Sequence, residues 1–238
     1  VILPNRRKAF RGGSVVSTAD LISFWNLDEA SGTRVDAHGS NDLTDNNTVG
    51  QGTGNVYANA ADFVRANAEY LTSASTDFEV IATITIGAWI KIDSFAPTNG
   101  NWIINKRGTA LGAGWQLAVS SGNSKVFFDV IDDPFTGTIT GTTTLSTGTW
   151  YFVHGQIDGT TYKVGLNGSW EASSSYAGSL AAETSYSLTL GTASWNPTST
   201  NTLRHDGLIG PAMFWNRALS DAEIAALADK DDTFYDQF

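Results

Sequence analysis

Gly207-Leu-Ile-Gly-Pro-Ala-Met-Phe-Trp215-Asn-Arg-Ala-Leu-Ser220-Asp-Ala-Glu-Ile-Ala-Ala-Leu227 is the stretch that decides the fold. Its first half is apolar and ends in Trp215, as a strand does; a polar break then leads into a short helix. Ser220 and Glu223 stand three residues apart, the spacing of a capping box in which hydroxyl and carboxylate satisfy each other's backbone amides. Asp221 adds negative charge to the first turn, where the helix dipole favours it. Ile224 and Leu227 form one short apolar stripe. A helix so short needs a sheet to pack on.

Working outward, 238 residues with 24 glycines and only 16% charged residues suit many short strands joined by tight turns. Eight tryptophans and twelve phenylalanines supply bulk for a sizeable core. Thr83–Ile92 alternates, with Ile84, Ile86, Ala88, Ile90 and Ile92 on one face. Leu21–Leu27, Val56–Val64, Tyr70–Thr72, Trp102–Lys106, Trp115–Ser120, Lys125–Ile131, Thr138–Leu145, Trp150–Ile157, Thr161–Leu166, Ser169–Ala172, Tyr186–Leu190 and Leu208–Trp215 complete the expected strands. Asp158-Gly159 and Asn167-Gly168 mark hairpin turns. Residues 34–55 read as a long polar loop with a short strand near Leu43. Strands at this spacing predict a sandwich or jelly roll. No linker or repeat divides them.

Three regions follow: a basic extended arm over 1–19, one domain over 20–228 and an acidic tail over 229–238. The formal net charge is −10. Arg6, Arg7, Lys8 and Arg11 precede the first acid, which leaves −14 on the rest. Such a body opposes nucleic acid and anionic membranes. The absence of cysteine excludes disulfides and thiol chemistry. No apolar run has the length of a membrane span.

Taken together, these segments resemble the laminin G-like, concanavalin A-like lectin and glucanase jelly rolls over about residues 20–228. Leu21-Ile-Ser-Phe-Trp-Asn-Leu-Asp-Glu-Ala-Ser-Gly32 is similar to that family's opening strand and turn. Asp36–Asn41, Ala61-Asp-Phe63, Glu69-Tyr-Leu71, Ile84–Lys91, Trp102–Lys106, Gly148–Val153 and Val164–Gly168 are similar to its later landmarks. The resemblance implies an all-β single-domain β-sandwich with one short C-terminal helix. Two departures remove carboxylates that family members often carry: Gly210-Pro211-Ala212 in the last strand, and Asn67-Ala68 before Tyr70.

Calcium is the metal the resemblance raises, with Asp28, Asp36 and Asn41 as the oxygen ligands, supplemented by Glu29 and Asp42. Those residue types also build ordinary turns, and the expectation is no cofactor. Glycoside hydrolysis requires two carboxyl groups astride the scissile bond. The Glu-x-Asp-x-x-Glu run of related glucanases is missing, so no catalytic residue is expected. Trp170, Tyr176 and Trp195 fall in or near loops and are the candidates for stacking on a sugar ring; capping the sandwich ends is the competing role.

The amino terminus, Val1-Ile-Leu-Pro-Asn-Arg-Arg-Lys-Ala-Phe-Arg-Gly-Gly13, lacks the apolar region of a secretory signal, and Val1 is small enough to follow a removed initiator methionine. This stretch resembles the amino termini of tailed-phage structural proteins. The expected function is therefore a non-enzymatic virion protein, on capsid or tail, present in many copies. Ile2, Leu3, Arg6, Arg7, Lys8, Phe10 and Arg11 would anchor it to viral capsid or tail proteins, with the jelly roll facing outward and host glycans as further partners. The alternative is a secreted, extracellular carbohydrate-binding module, calcium-dependent or not.

Overall fold

The computed structural model describes residues 15–79, 82–108, 113–132, 135–176, 181–197 and 203–238. Within them the chain forms β1 (Leu21–Trp25), β2 (Thr44–Asn46), β3 (Gly50–Thr53), β4 (Asn59–Phe63), β5 (Tyr70–Ser73), β6 (Thr83–Ile92), β7 (Gly100–Arg107), β8 (Ala113–Ser120), β9 (Val126–Asp132), β10 (Phe135–Thr140), β11 (Trp150–Asp158), β12 (Thr161–Leu166), β13 (Ser169–Ser175), β14 (Leu188–Leu190) and β15 (Gly207–Trp215), then α1 (Asp221–Ala228) and α2 (Asp232–Tyr235). Two antiparallel sheets result. One runs β13-β12-β11-β6-β15-β4-β3 with β1 also on β15; the other runs β10-β9-β8-β7-β14-β5-β2.

The alternation in β6 explains why the sheets face each other. Ile84, Ile86, Ala88, Ile90 and Ile92 are buried in the interior with Ile103, Ile104, Trp115, Leu117, Val119, Phe128 and Val130 from the opposite sheet. The other face of the eight-stranded sheet is apolar too. Phe24, Trp89, Phe152, Met213 and Trp215 point outward and are buried by Val16, Leu219, Ile224, Leu227, Phe234 and Tyr235. Chain segments from both ends of the described structure thus close this face.

α1 begins as its sequence dictates. Ser220 accepts from the Glu223 N–H at 3.3 Å, and Glu223 accepts from the Ser220 N–H at 2.9 Å. Arg217 adds a bidentate bridge to Glu223 at 2.6 and 3.1 Å. Burial of the Glu223 carboxyl would raise its pKa, but Arg217, the amides of Ser220 and Ser17, and the Ser220 hydroxyl pull it down to about 2. The guanidinium also donates to the Ser17 carbonyl at 3.0 Å, so residues 16–19, expected as part of an extended arm, belong to the folded domain.

The expected acidic tail is corrected more strongly. Phe234 and Tyr235 are buried, and Phe238 stacks on Phe24 with ring centroids 4.2 Å apart. The Tyr235 hydroxyl accepts from Trp89 Nε1 at 3.1 Å and donates to the Leu227 carbonyl at 3.1 Å. Apolar area drives this segment down, while Asp229 and Asp236 stay exposed.

Pro211 also finds its reason. β15 pairs with β4 through Ile209 and with β1 from Ala212 onward, and its register against β6 shifts between the same two residues. A residue without an N–H suits the place where the ladder changes partner. Two edge strands, β2 and β3, occupy the region expected as a loop, and the Thr-rich strand covers 135–140 rather than 138–145.

His154 and His205 are fully buried, and burial lowers their pKa values to about 3 and about 4. Gly165 leaves the room that the His154 ring fills. Below pH ~6.5 the unfolded chain takes up protons on these rings while the folded chain does not. Each histidine should therefore cost about 1.4 kcal/mol of stability per pH unit as pH falls, until the folded pKa is reached. In urea titrations between about pH 7 and about pH 5, which span the ordinary histidine pKa, His154→Leu should flatten the acid limb by about one proton. Phe234→Ala should remove roughly 3–5 kcal/mol at neutral pH if the last segment is a true part of the core, and almost nothing if it is a loose tail.

Candidate functional site

The outer face of the seven-stranded sheet is built differently. Its registers pair Asn105 with Thr189 and Gln116, Gln116 with Asp129, and Asp129 with Thr138. Directly opposed residues in an antiparallel sheet share a face. A polar row therefore crosses β14, β7, β8, β9 and β10 on the side away from the interior. The next row is Trp102, Ala118, Phe127 and Thr140. One aromatic floor thus lies beside one polar line.

A cleft of about 360 Å³ opens on this surface, lined by Asn99, Trp102, Arg107, Gln116, Ser120, Phe127, Asp129, Thr138, Thr140, Trp195 and Leu203. Trp195 is half-buried and belongs to the connection between β14 and β15. Its ring lies 6.1 Å from that of Trp102, which in turn meets Phe127 edge-on at 5.5 Å. The Arg107 guanidinium sits 4.7 Å from the Trp195 ring centroid and 3.5 Å from Asp129 Oδ2.

The polar groups orient one another. Asn105 Nδ2 donates to Gln116 Oε1 at 3.0 Å, and Gln116 Nε2 donates to Asp129 Oδ2. Burial pushes the Asp129 carboxyl up, opposed by Thr138, Arg107 and Gln116; burial likewise lowers Arg107, opposed by Asp129. These groups are held in place before any ligand arrives, with a carboxylate, an amide, a guanidinium and threonine hydroxyls converging beside aromatic rings. That combination can hydrogen-bond hydroxyl groups while an apolar ring face rests on tryptophan.

Of the three aromatics expected to stack on sugar, Trp195 alone lines this cleft. Tyr176 is buried in the interior, and its hydroxyl donates to the Gly159 carbonyl at 2.5 Å; it has the packing role. Trp170 lies on β13 of the other sheet, near His154 at 4.6 Å, with Lys163 over its ring and its Nε1 bonded to Asp221 at 2.9 Å. It borders a second depression of about 340 Å³ with Lys163, Glu171, Ala172 and Ser173.

The calcium candidates do not assemble. Asp36 Oδ1 accepts from the amides of Phe24, His38 and Gly39 at 3.0, 3.1 and 2.9 Å, and its Oδ2 from Asn41 at 3.0 Å. Asn41 donates its amide to Ser23 and Asp77, and its carbonyl accepts from Trp25 Nε1. These oxygens organise the loop, and the Asp28 carbonyl accepts from Gln51. Among the described residues no three His, Cys, Asp or Glu side chains converge as they would around a metal ion. The arm residues Ile2, Leu3, Arg6, Arg7, Lys8, Phe10 and Arg11 lie outside the described residues.

The residues that sequence reading missed are Trp102, Arg107, Gln116, Phe127, Asp129 and Thr138. The available signal was Asp129, a carboxylate inside the otherwise apolar Val126–Ile131.

No curated protein matches the chain. Among solved structures, the Trypanosoma rangeli sialidase is 16% identical over 98% of this chain and 36% of its own, with a TM-score of 0.66. Domain 4 of AbnA, an extracellular GH43 arabinanase of Geobacillus stearothermophilus in complex with arabinotriose, is 15% identical over 88% of this chain and 98% of its own, TM-score 0.64. The binding domain of Paraclostridial Mosquitocidal Protein 1 is 12% identical over 90% and 53%, TM-score 0.69. The chain therefore spans about a third of the sialidase and about half of the toxin binding domain. At these identities the likeness is one of fold. The family model described as the concanavalin A-like lectin/glucanases superfamily matches residues 65–225, two-thirds of the sequence, and the chain belongs to that family.

Proposed function

We propose that this domain is a non-enzymatic carbohydrate-binding module whose site is the cleft on the seven-stranded sheet. The observation that carries the reading is the adjacency of Trp195, Trp102 and Phe127 to the Gln116–Asp129–Thr138 row. Ring faces of sugars are apolar and their rims are hydroxylated, so a floor of aromatics beside fixed polar groups is matched to both. The arabinanase domain of the same fold, solved with arabinotriose, supports the choice of ligand class.

The charges support binding without hydrolysis. Asp129 is the one carboxylate among the described lining residues, whereas paired-carboxylate hydrolysis needs a second about 5–9.5 Å away. Asp129 is also committed to Gln116 and Arg107.

Display on a virus particle is the finer reading, and it concerns where the module is mounted. Its support is the basic sequence of residues 6–11, together with one geometric point. Val16 packs on the outer face of the eight-stranded sheet, on the side of the sandwich opposite the cleft. A domain held through the residues before Val16 would present the cleft outward.

On a glycan array, the protein should bind a defined subset of sugars. Trp195→Ala should weaken that binding at least about tenfold, or 1.4 kcal/mol, and Asp129→Asn should weaken it comparably. Trp170→Ala should leave it unchanged. Binding that survives Trp195→Ala and is lost with Trp170→Ala would place the site on the other sheet and overturn this assignment.

A further inference from the structure

The geometry points to recognition of the end of a neutral sugar chain rather than of an internal stretch of a polymer; this rests on the carbohydrate-binding reading above. The polar row would make a natural track for a long ligand if it were open along its length. It is closed at one end. The described residues 191–197 and 203–206, between β14 and β15, fold back over the sheet, with Thr192 bridging to Arg204 and Ala193 N–H donating to the Leu203 carbonyl at 3.3 Å.

This flap is fastened where the row passes beneath it. Arg107 N–H donates to Ser194 Oγ at 2.9 Å, Ser194 Oγ donates to the Arg107 carbonyl at 2.6 Å, and Ser194 N–H donates to Asn105 Oδ1 at 3.2 Å. Ala193, Trp195 and Leu203 pack on Trp102, Ala118 and Phe127. Thr189, Asn105 and Gln116 are consequently 2%, 0% and 1% exposed, while Thr138, on the edge strand β10, is exposed. Along this row the surface is exposed at β10 and covered at β7 by Trp195 and Arg107. From β7 to β10 is three strand spacings, about 14 Å. A chain that enters over β10 along the polar row meets that Trp195–Arg107 wall at β7.

The wall also sets the charge of the ligand. Arg107 is the one cation among the described lining residues, and it is shared between Trp195 and Asp129. A carboxylate-bearing sugar would have to displace Asp129 from it, leaving a buried charge uncompensated, which is strongly unfavourable. The whole chain is at −10 and adds long-range repulsion toward anions. Hydroxyls face no such penalty.

The test uses arabinan, xylan and β-glucan, each as intact polymer and as short oligomers, with sialylated and uronate oligomers alongside. Inhibition of array binding is compared at equal molarity of chain ends. The expected result is equal potency for polymer and oligomers of the recognised sugar, and at least about tenfold weaker binding of acidic oligomers. A polymer about tenfold more potent per chain end would show internal recognition and overturn the blind-end assignment while keeping the module a glycan binder. Preference for the acidic oligomers would overturn the neutral assignment. No binding to any of these, nor to the array, would remove the carbohydrate reading itself.

Discussion

A sandwich of two sheets has two outer faces, and in this chain the burial demanded by one of them governs the rest. Phe24, Trp89, Phe152, Met213 and Trp215 project from the eight-stranded sheet on the side away from the interior. Each such side chain gains roughly 1.5–3 kcal/mol when taken out of water, so leaving the group exposed would forfeit an amount comparable to the net stability of a domain. The chain meets that demand with its own segments: Val16 from one side, and Leu219 through Tyr235 from the other. The capping box of Ser220 and Glu223 and the Arg217 bridge to Ser17 fasten those two segments to one another.

Once that face is closed, the seven-stranded sheet is the one left to meet solvent. Its outer side carries alternate residues of ordinary strands, and there the physics runs the other way. Asp129 and Arg107 are both shifted by burial against their charged forms, and each is the other's partner. A buried pair of this kind is a weak source of stability, because desolvation offsets much of the attraction. Fixed polar groups beside aromatic rings are, however, what a hydroxylated ligand needs, since they are oriented before it binds. Apolar burial is concentrated on one side of the molecule and the groups of the proposed site on the other.

The same division explains what could be read from the sequence. Thr83–Ile92 was legible to the residue because its isoleucines alternate without interruption, and the helix start was legible because capping is local. β2 and β3 were not, since Thr44–Asn46 and Gly50–Thr53 contain no apolar period and exist through pairing with β5 and β4. The last ten residues misled through their aspartates; Phe234, Tyr235 and Phe238 determine where they go. The polar row was hidden for a deeper reason. Residues 105, 116, 129 and 138 are aligned by the registers of three successive hairpins, and register depends on turn geometry and core packing together.

Trp170, Tyr176 and Trp195 show how far composition can go. All three are large aromatics in or near loops, and nothing in their immediate neighbours ranks them. Tyr176 is drawn inward because the interior needs its ring and Gly159 offers an acceptor. Trp170 is pinned at the side of the covered sheet by His154, Lys163 and Asp221. Trp195 alone stands against the uncovered sheet, where Arg107 lies over its ring and Ser194 ties its backbone to β7. A ring held on both counts loses little freedom when a ligand lands on it, so more of the contact energy appears as affinity. In the proposed function, the flap over the sheet is therefore also what would prepare its principal aromatic for binding.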